Sequence, residues 1–353
     1  MTGLRAALLG LGLVAAGACV SPPSPQGPRP SPRVALDAHL REIHAVAFSP
    51  DGSLFASAGG GANPAADEIT LWTTATGERR MTFADYKGVA SSLAFSPDGT
   101  LLAVGATDGK ITLLEVDSGS ERASFSGSAG AVPCLAFTFD GKVLVSVGHQ
   151  ETEEEDITVF RWDVERSAVR SSFRPGASPP FALSPDGMTL AWVVQGRPSG
   201  IWTANLETEH KRLIANAGIV RGDTLVFSPD TKHIAAVHHA DWSPLPNHCP
   251  YLFVFDALSG RILLQSPRNF DDRRGLAISH DSRLLARGVD GGFQLWDLKA
   301  LEVRVTVNGP ASKMEGAEML VFSPDDRTLV TSDRRGILLL WDVAKLTGAA
   351  APN

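Results

Sequence analysis

Apolar and polar positions along the chain fall into short strands that recur with one spacing. An apolar run ends in a polar turn, "AFSPDG" at Ala47–Gly52, and the turn returns as "AFSPDG" from Ala94, "AFTFDG" from Ala136 and "ALSPDG" from Ala182. Looser copies are "VFSPDT" from Val226, "AISHDS" from Ala277 and "VFSPDD" from Val321. The Ser or Thr of these turns stands at 49, 96, 138, 184, 228, 279 and 323, a mean spacing of about 46 residues. Pro presets φ at the second turn position, Asp bonds its own backbone, and Gly accepts the positive φ that joins two strands.

After each turn a second apolar strand follows, such as "LFASAG", "LLAVGA" or "LLARGV". Farther on comes a third ("ITLLEV", "GIWTAN", "FQLWDL", "ILLLWDV") and then a fourth ("RRMTF", "RASF", "VRSSF", "KRLI", "RILLQ", "VRVTV"). Seven turns precede only six fourth strands, because the sequence stops soon after Trp341-Asp342. The segment "PRVALD", Pro32–Asp37, has the character of the missing strand. The pattern therefore predicts an all-β, seven-bladed propeller of four-stranded antiparallel blades, closed by an N-terminal strand that completes the last blade. Each proposed fourth strand carries a basic residue, Arg33, Arg80, Arg122, Arg170, Arg212, Arg261 or Arg304, a charge that discourages edge-to-edge pairing.

These repeats resemble the WD40 repeat family over residues 33–343. Trp162-Asp163, Trp296-Asp297 and Trp341-Asp342 match its signature dipeptide, Trp72 and Trp202 are read as keeping the Trp, and Phe255-Asp256 keeps the Asp. Asp108-Gly109 and Asp290-Gly291 match its tight turn, and His39 matches its Gly-His position with Ala38 in place of Gly. The resemblance implies a rigid platform for protein contacts, with a buried Asp–His–Ser/Thr–Trp network in some blades. In this chain that His position is kept in blade 1 alone.

The N-terminus adds an address. "MTGLRAALLGLGLVAAGAC" has one Arg, a short apolar stretch and small residues before a cysteine, the layout of a secretory signal. Its ending, Ala16-Gly17-Ala18-Cys19, resembles a bacterial lipobox, which implies residues 1–18 as signal peptide and a diacylglycerol on Cys19. Residues 19–32, rich in Pro and Ser, read as a tether, 33–345 as the propeller and 346–353 as a tail. The expected location is the cell envelope, lipid-anchored and facing the periplasm or exterior.

Hydrophobic residues make up 43% and charged residues 20%, enough for a core, and a formal charge of −7 gives no reason to expect nucleic acid. Of Cys19, Cys134 and Cys249, Cys134 lies in the apolar run "VPCLAF" and reads as a small buried hydrophobe; there is no CxxC motif. No cofactor or metal is expected.

Candidate sites come from insertions between second and third strands. "GGGANPAADE" (59–68), "HQETEEED" (149–156) and "HHADWSPLPNHC" (238–249) enlarge alternate blades on one face. They nominate Trp242, His238, His239, His248, Glu153, Glu154 and Glu155 as partner-binding residues. His238, His239, His248 and Cys249 match no metal-ligand spacing. At the starts of first strands, His44, Asp223, Arg274 and Glu318 are expected to gather at a channel mouth. No Gly-x-Ser-x-Gly elbow, His-Glu-x-x-His helix or phosphate-binding glycine loop occurs in the sequence. The expectation is a non-enzymatic module that binds another protein, with a propeller hydrolase or lactonase-like enzyme at the channel mouth as the alternative.

Overall fold

The computed structural model describes residues 30–39, 41–60, 67–83, 86, 88–126, 128–149, 157–176, 180–194, 200–215, 221–239, 251–266, 275–289, 291–308 and 317–348. Seven four-stranded antiparallel sheets form, six from consecutive strands. Blade 1, for example, runs Ile43–Phe48, Leu54–Gly60, Asp67–Thr73 and Arg79–Thr82. The seventh is built from Met319–Phe322, Thr328–Ser332 and Ile337–Asp342, and its fourth strand is Val34–Asp37. Val34 faces Leu340 and Leu36 faces Leu338, so the N-terminal strand closes the ring as its sequence predicts.

The marker turns are alike because one hydroxyl organises each. Ser49 Oγ donates to Asp51 Oδ1 at 2.6 Å and accepts from Leu54 N at 3.0 Å. Ser279 repeats this with Asp281 at 2.7 Å and Leu284 N at 2.9 Å, and Ser323 with Asp325 at 2.6 Å and Thr328 N at 2.9 Å. All seven marker hydroxyl residues are buried. The turn then needs a left-handed residue, supplied by Gly52, Gly99, Gly141 and Gly187 in the first four blades, and by Thr231, Ser282 and Asp326 in the rest.

The core lies between blades. Seven apolar clusters form, each shared by two neighbouring blades. The closing seam holds Ile43, Phe55 and Trp72 of blade 1 against Val330, Leu338 and Leu340 of blade 7. Each such fully buried side chain contributes about 1.5–3 kcal/mol, so the seams carry the stability that no single blade has alone. Some arginines of the outer strands clip these seams. Arg33 Nη2 donates to Thr74 O at 2.6 Å and Arg212 Nη2 to Ala257 O at 3.1 Å, each on the next blade.

Two readings need correction. Trp202 is not the signature Trp of blade 4. Trp72 pairs with Phe55, Trp162 with Leu144, Trp296 with Leu285 and Trp341 with Leu329; in blade 4 the matching pair is Leu190 with Ala204. Trp202 sits two residues earlier, opposite Trp192, and Asn205 takes the Asp position, its Oδ1 accepting from Glu207 N and Thr208 N. The fold also runs beyond residue 345. Asp342 caps a short helix, Val343–Thr347, through Lys345 N, and Val343 and Leu346 are buried in the seam between blades 6 and 7.

Candidate functional site

Antiparallel strands sort the connections onto two faces. First-to-second and third-to-fourth turns emerge on one, second-to-third turns and blade links on the other. The three insertions spring from Gly60↔Asp67, His149↔Ile157 and His238↔Tyr251, so they share the second face on alternate blades. His238 and His239 end the strand His233–His239, but their side chains, with all of Trp242, His248, Glu153, Glu154 and Glu155, lie outside the described residues. So do Cys19 and Cys249.

At the channel mouth the four expected residues occupy one repeat position, five before each marker hydroxyl. His44 and Asp223 are the extra residues of bulges that shift the register between Ile43 and Ala45 and between Gly222 and Thr224. A third such bulge surrounds Ser91, whose Oγ donates to Val132 O at 2.8 Å. Glu318 is engaged: its Oε1 accepts from Arg334 Nε at 2.9 Å. Arg274 and the Asp223 side chain lie outside the described residues. Among the described residues no cluster of three or more His, Cys, Asp or Glu side chains has the arrangement of a metal site.

The opposite face carries a feature that the sequence reading passed over. The second residue of each marker turn is Pro in five blades, at positions 50, 97, 185, 229 and 324, but Phe139 in blade 3 and His280 in blade 6. From blade 7 through blade 3 turn packs on turn: a Cβ on Gly52 would meet Pro324 Cδ at 3.4 Å, one on Gly99 Pro50 Cδ at 3.7 Å, and one on Gly141 Pro97 Cδ at 3.5 Å. At Gly187 the nearest atoms belong to Val145 and Phe137 instead, and Phe139 stands 89% exposed.

Beside it opens a cleft of about 380 Å³, lined by Phe95, Pro97, Phe137, Phe139, Pro185 and Pro229 among others, with Asp186 at its edge. Blades 2, 3, 4 and 5 all contribute, and only the axis brings four consecutive blades to one cavity. Leu258 and Leu301 project from third-to-fourth turns on this face, and Val169 and Ile262 from the strand starts just after such turns. Every exposed large apolar side chain among the described residues is thus on the marker-turn side.

Each marker turn on this face also carries a carboxylate. Asp51, Asp98 and Asp140 are held below the usual carboxylate range, first by the hydroxyls of Ser49, Ser96 and Thr138 and further by groups of Ser53, Thr100 and Lys142. The face thus presents aromatic and proline side chains together with these carboxylates. Cys134 is a half-buried free thiol that packs on the seam between blades 3 and 4; burial pushes it up to about 11, so it is not a nucleophile at neutral pH.

Two family models match parts of the chain: the anaphase-promoting complex subunit 4 WD40 domain over residues 70–164, and the WD domain, G-beta repeat, over 30–62. Protein transport protein SEC31 of Chaetomium globosum is similar at 25% identity over 173 residues, 44% of this chain and 13% of that protein. An uncharacterized WD repeat-containing protein of Synechocystis is 38% identical over 71 residues, 20% of this chain and 19% of its own length. The chain therefore spans less than a fifth of either relative. Among solved structures, a chain of Kuenenia stuttgartiensis hydrazine synthase superposes with a TM-score of 0.69 at 16% identity, covering 88% of this chain and 98% of that one. At that identity the likeness is one of fold. The matched segments and the shared architecture support WD40-type repeats on a seven-bladed propeller.

Proposed function

We propose that this protein is a protein-binding platform of the bacterial cell envelope, held to a membrane by lipid on Cys19. WD40-type propellers commonly serve as interaction scaffolds, and a closed ring with buried seams presents its turns with little conformational cost on binding. The observation that carries the reading is Phe139, 89% exposed beside an apolar cleft at the axis, with Leu258 and Leu301 on the same face. Aromatic anchors flanked by apolar surface supply most of the energy in protein interfaces. The inserted face, whose blade 5 insertion contains Trp242, is a second docking surface.

Bead capture from envelope extract tests this with three forms of the full chain. One is unaltered, one carries Phe139→Asp and Leu258→Asp, and one lacks residues 240–248. A partner held by the first and third but lost by the second supports the marker-turn face. Loss only in the third moves the site to the inserted face. Capture by none of them removes the platform reading. For the anchor, Cys19→Ser should move the protein from the membrane fraction to the soluble fraction, and mass spectrometry of the N-terminal peptide should show the acyl chains lost.

A further inference from the structure

We propose that the outer edge of blade 3, the strand Ala168–Phe173, accepts an extended acidic segment of another protein as a fifth strand. This edge lies on the side of the ring, apart from both turn faces, so the site goes beyond the docking surfaces described above.

The strand is open along its length. Ala168–Phe173 ends its sheet, and among the described residues its backbone pairs only with Ile157–Asp163. Five of its six residues are exposed. That is a larger share than in the outer strands Val34–Asp37, Arg79–Thr82, Glu121–Ser126, Ile262–Gln265 and Glu302–Asn308. Such an edge presents a row of unpaired N–H and C=O groups, the template to which an extended peptide adds.

Charge decides which peptide. The outer hairpin of blade 3, residues 157–176, carries Arg161, Arg166, Arg170 and Arg174 against Asp163 and Glu165. The corresponding residues 67–83 and 110–126 have one more acid than base. In 200–215, 251–266 and 292–308, and in 337–348 taken with 33–37, acids and bases balance. Blade 3 therefore sets a net positive hairpin on a chain of formal charge −7, and it does so where the edge is most exposed.

Local pairing leaves that charge available. Arg122, Arg170 and Arg304 are each the extra residue of a bulge in an outer strand. In blades 2 and 6 this arginine meets an acid of the third strand, Arg122 with Glu115 at 3.5 Å and Arg304 with Asp297 at 3.6 Å. In blade 3 Arg166 takes that acid, Asp163, at 2.9 Å. Beside the strand's far end Lys211 of blade 4 lies 5.5 Å over the Phe173 ring and donates to Pro175 O at 2.6 Å, both neutral partners. An added strand with carboxylates opposite these cations gains cross-strand ion pairs, and Arg can hold a carboxylate through two N–H groups. Pairing of this edge with its own copy is disfavoured, because it brings arginine against arginine.

Fluorescence anisotropy tests the proposal with a labelled eight-residue peptide of alternating Glu and Val, titrated with the full chain at pH 7.5. The expected result is saturable binding that Arg170→Glu with Arg174→Glu weakens at least tenfold, while Arg80→Glu on blade 1 leaves it within twofold. The same peptide methylated at every backbone nitrogen keeps its charge but cannot donate along the edge, so its binding should also fall at least tenfold. Hydrogen exchange with the unmodified peptide should slow at the amides of Ala168–Phe173 and at no other outer strand. Absence of saturable binding overturns the proposal. Equal binding of the methylated peptide also overturns it, since charge alone would then attract any polyanion, and so does protection on a different strand. The methylated peptide and the exchange map both use the unaltered protein, so the outcome does not depend on how the variants fold.

Discussion

His39 Nε2 lies 2.7 Å from Ser57 Oγ, and Trp72 Nε1 donates to that same oxygen at 2.8 Å. Three residues distant in sequence thereby pin the closing seam, because His39 N and Ala38 N also donate to Gly336 O of blade 7. Of the network that the WD40 resemblance implies, blade 1 keeps His, Ser and Trp. Blades 3 and 7 keep only the last pair, Trp162 to Ser146 at 2.9 Å and Trp341 to Thr331 at 3.0 Å.

That geometry makes closure sensitive to acid. His39 is lowered to about 4, chiefly by burial and then by Arg79 and His44, and its buried Nδ1 has no hydrogen-bond partner among the described residues. A folded-state value below the unfolded 6.5 means the folded state binds fewer protons in that window. Stability is therefore full above about pH 6.5 and falls as pH drops toward 4, by about 3 kcal/mol in total. Denaturant melts at pH 7.5 and 4.5 should show this loss, and His39→Gln should flatten the difference while lowering stability at pH 7.5.

Left-handed turns give a pair of substitutions with opposite signs. Thr231 holds φ 61° where four other blades use Gly, and a β-branched side chain is strained there. Thr231→Gly should stabilise by about 0.5–1 kcal/mol, net of the added freedom of the unfolded chain. Asp326 holds φ 57°, but its carboxylate accepts from His280 N at 2.7 Å and Asp281 N at 2.8 Å on the neighbouring blade. Asp326→Gly should cost about 1 kcal/mol, since two charge-assisted seam bonds outweigh the relief. Chemical denaturation midpoints of the two variants check both signs.

The fold was legible because its turn chemistry repeats. Ser, Asp and a left-handed residue recur at fixed offsets, and the surplus strand Val34–Asp37 stood in view at the other end of the chain. Blade 4 was harder. Trp202 and Ala204 are two apart on one strand, so both point to the same side, and alternation cannot say which one fills the signature position. Only the cross-strand pairing with Leu190 does. Phe139 was equally visible in "AFTFDG", but its meaning depends on the packing of the other turns against Pro50, Pro97 and Pro324. At the channel mouth, sequence offset placed His44 and Glu318 on equivalent positions of adjacent blades, yet gave no sign that Arg334 claims Glu318.

The marker hydroxyl should be worth more than its size suggests. Ser279 is fully buried and bonds Asp281, Leu284 N and Leu284 O at once. Ser279→Ala removes the hydroxyl oxygen that accepts from Leu284 N and frees the Asp281 carboxylate from its hydroxyl partner. The expected loss is about 1–3 kcal/mol. Hydrogen exchange should show it first at the amides of Ser279–Leu284. A uniform change over all seven blades would mean that the turn is not a local unit.

Closure itself can be tested by removing the strand that effects it. Without residues 30–37, Ile337–Asp342 becomes a bare edge of alternating Leu338 and Leu340, and the seam with blade 1 loses Val34 and Leu36. Unpaired N–H and C=O groups beside apolar side chains are a template for pairing with another molecule. The truncated protein should elute as dimers and larger species in size-exclusion chromatography with light scattering, where the full chain is expected as a monomer. Adding a peptide of residues 30–39 should return the monomer, because it restores the missing strand in register. If the truncated protein stays monomeric with an unchanged melting temperature, the N-terminal strand is not what closes the ring.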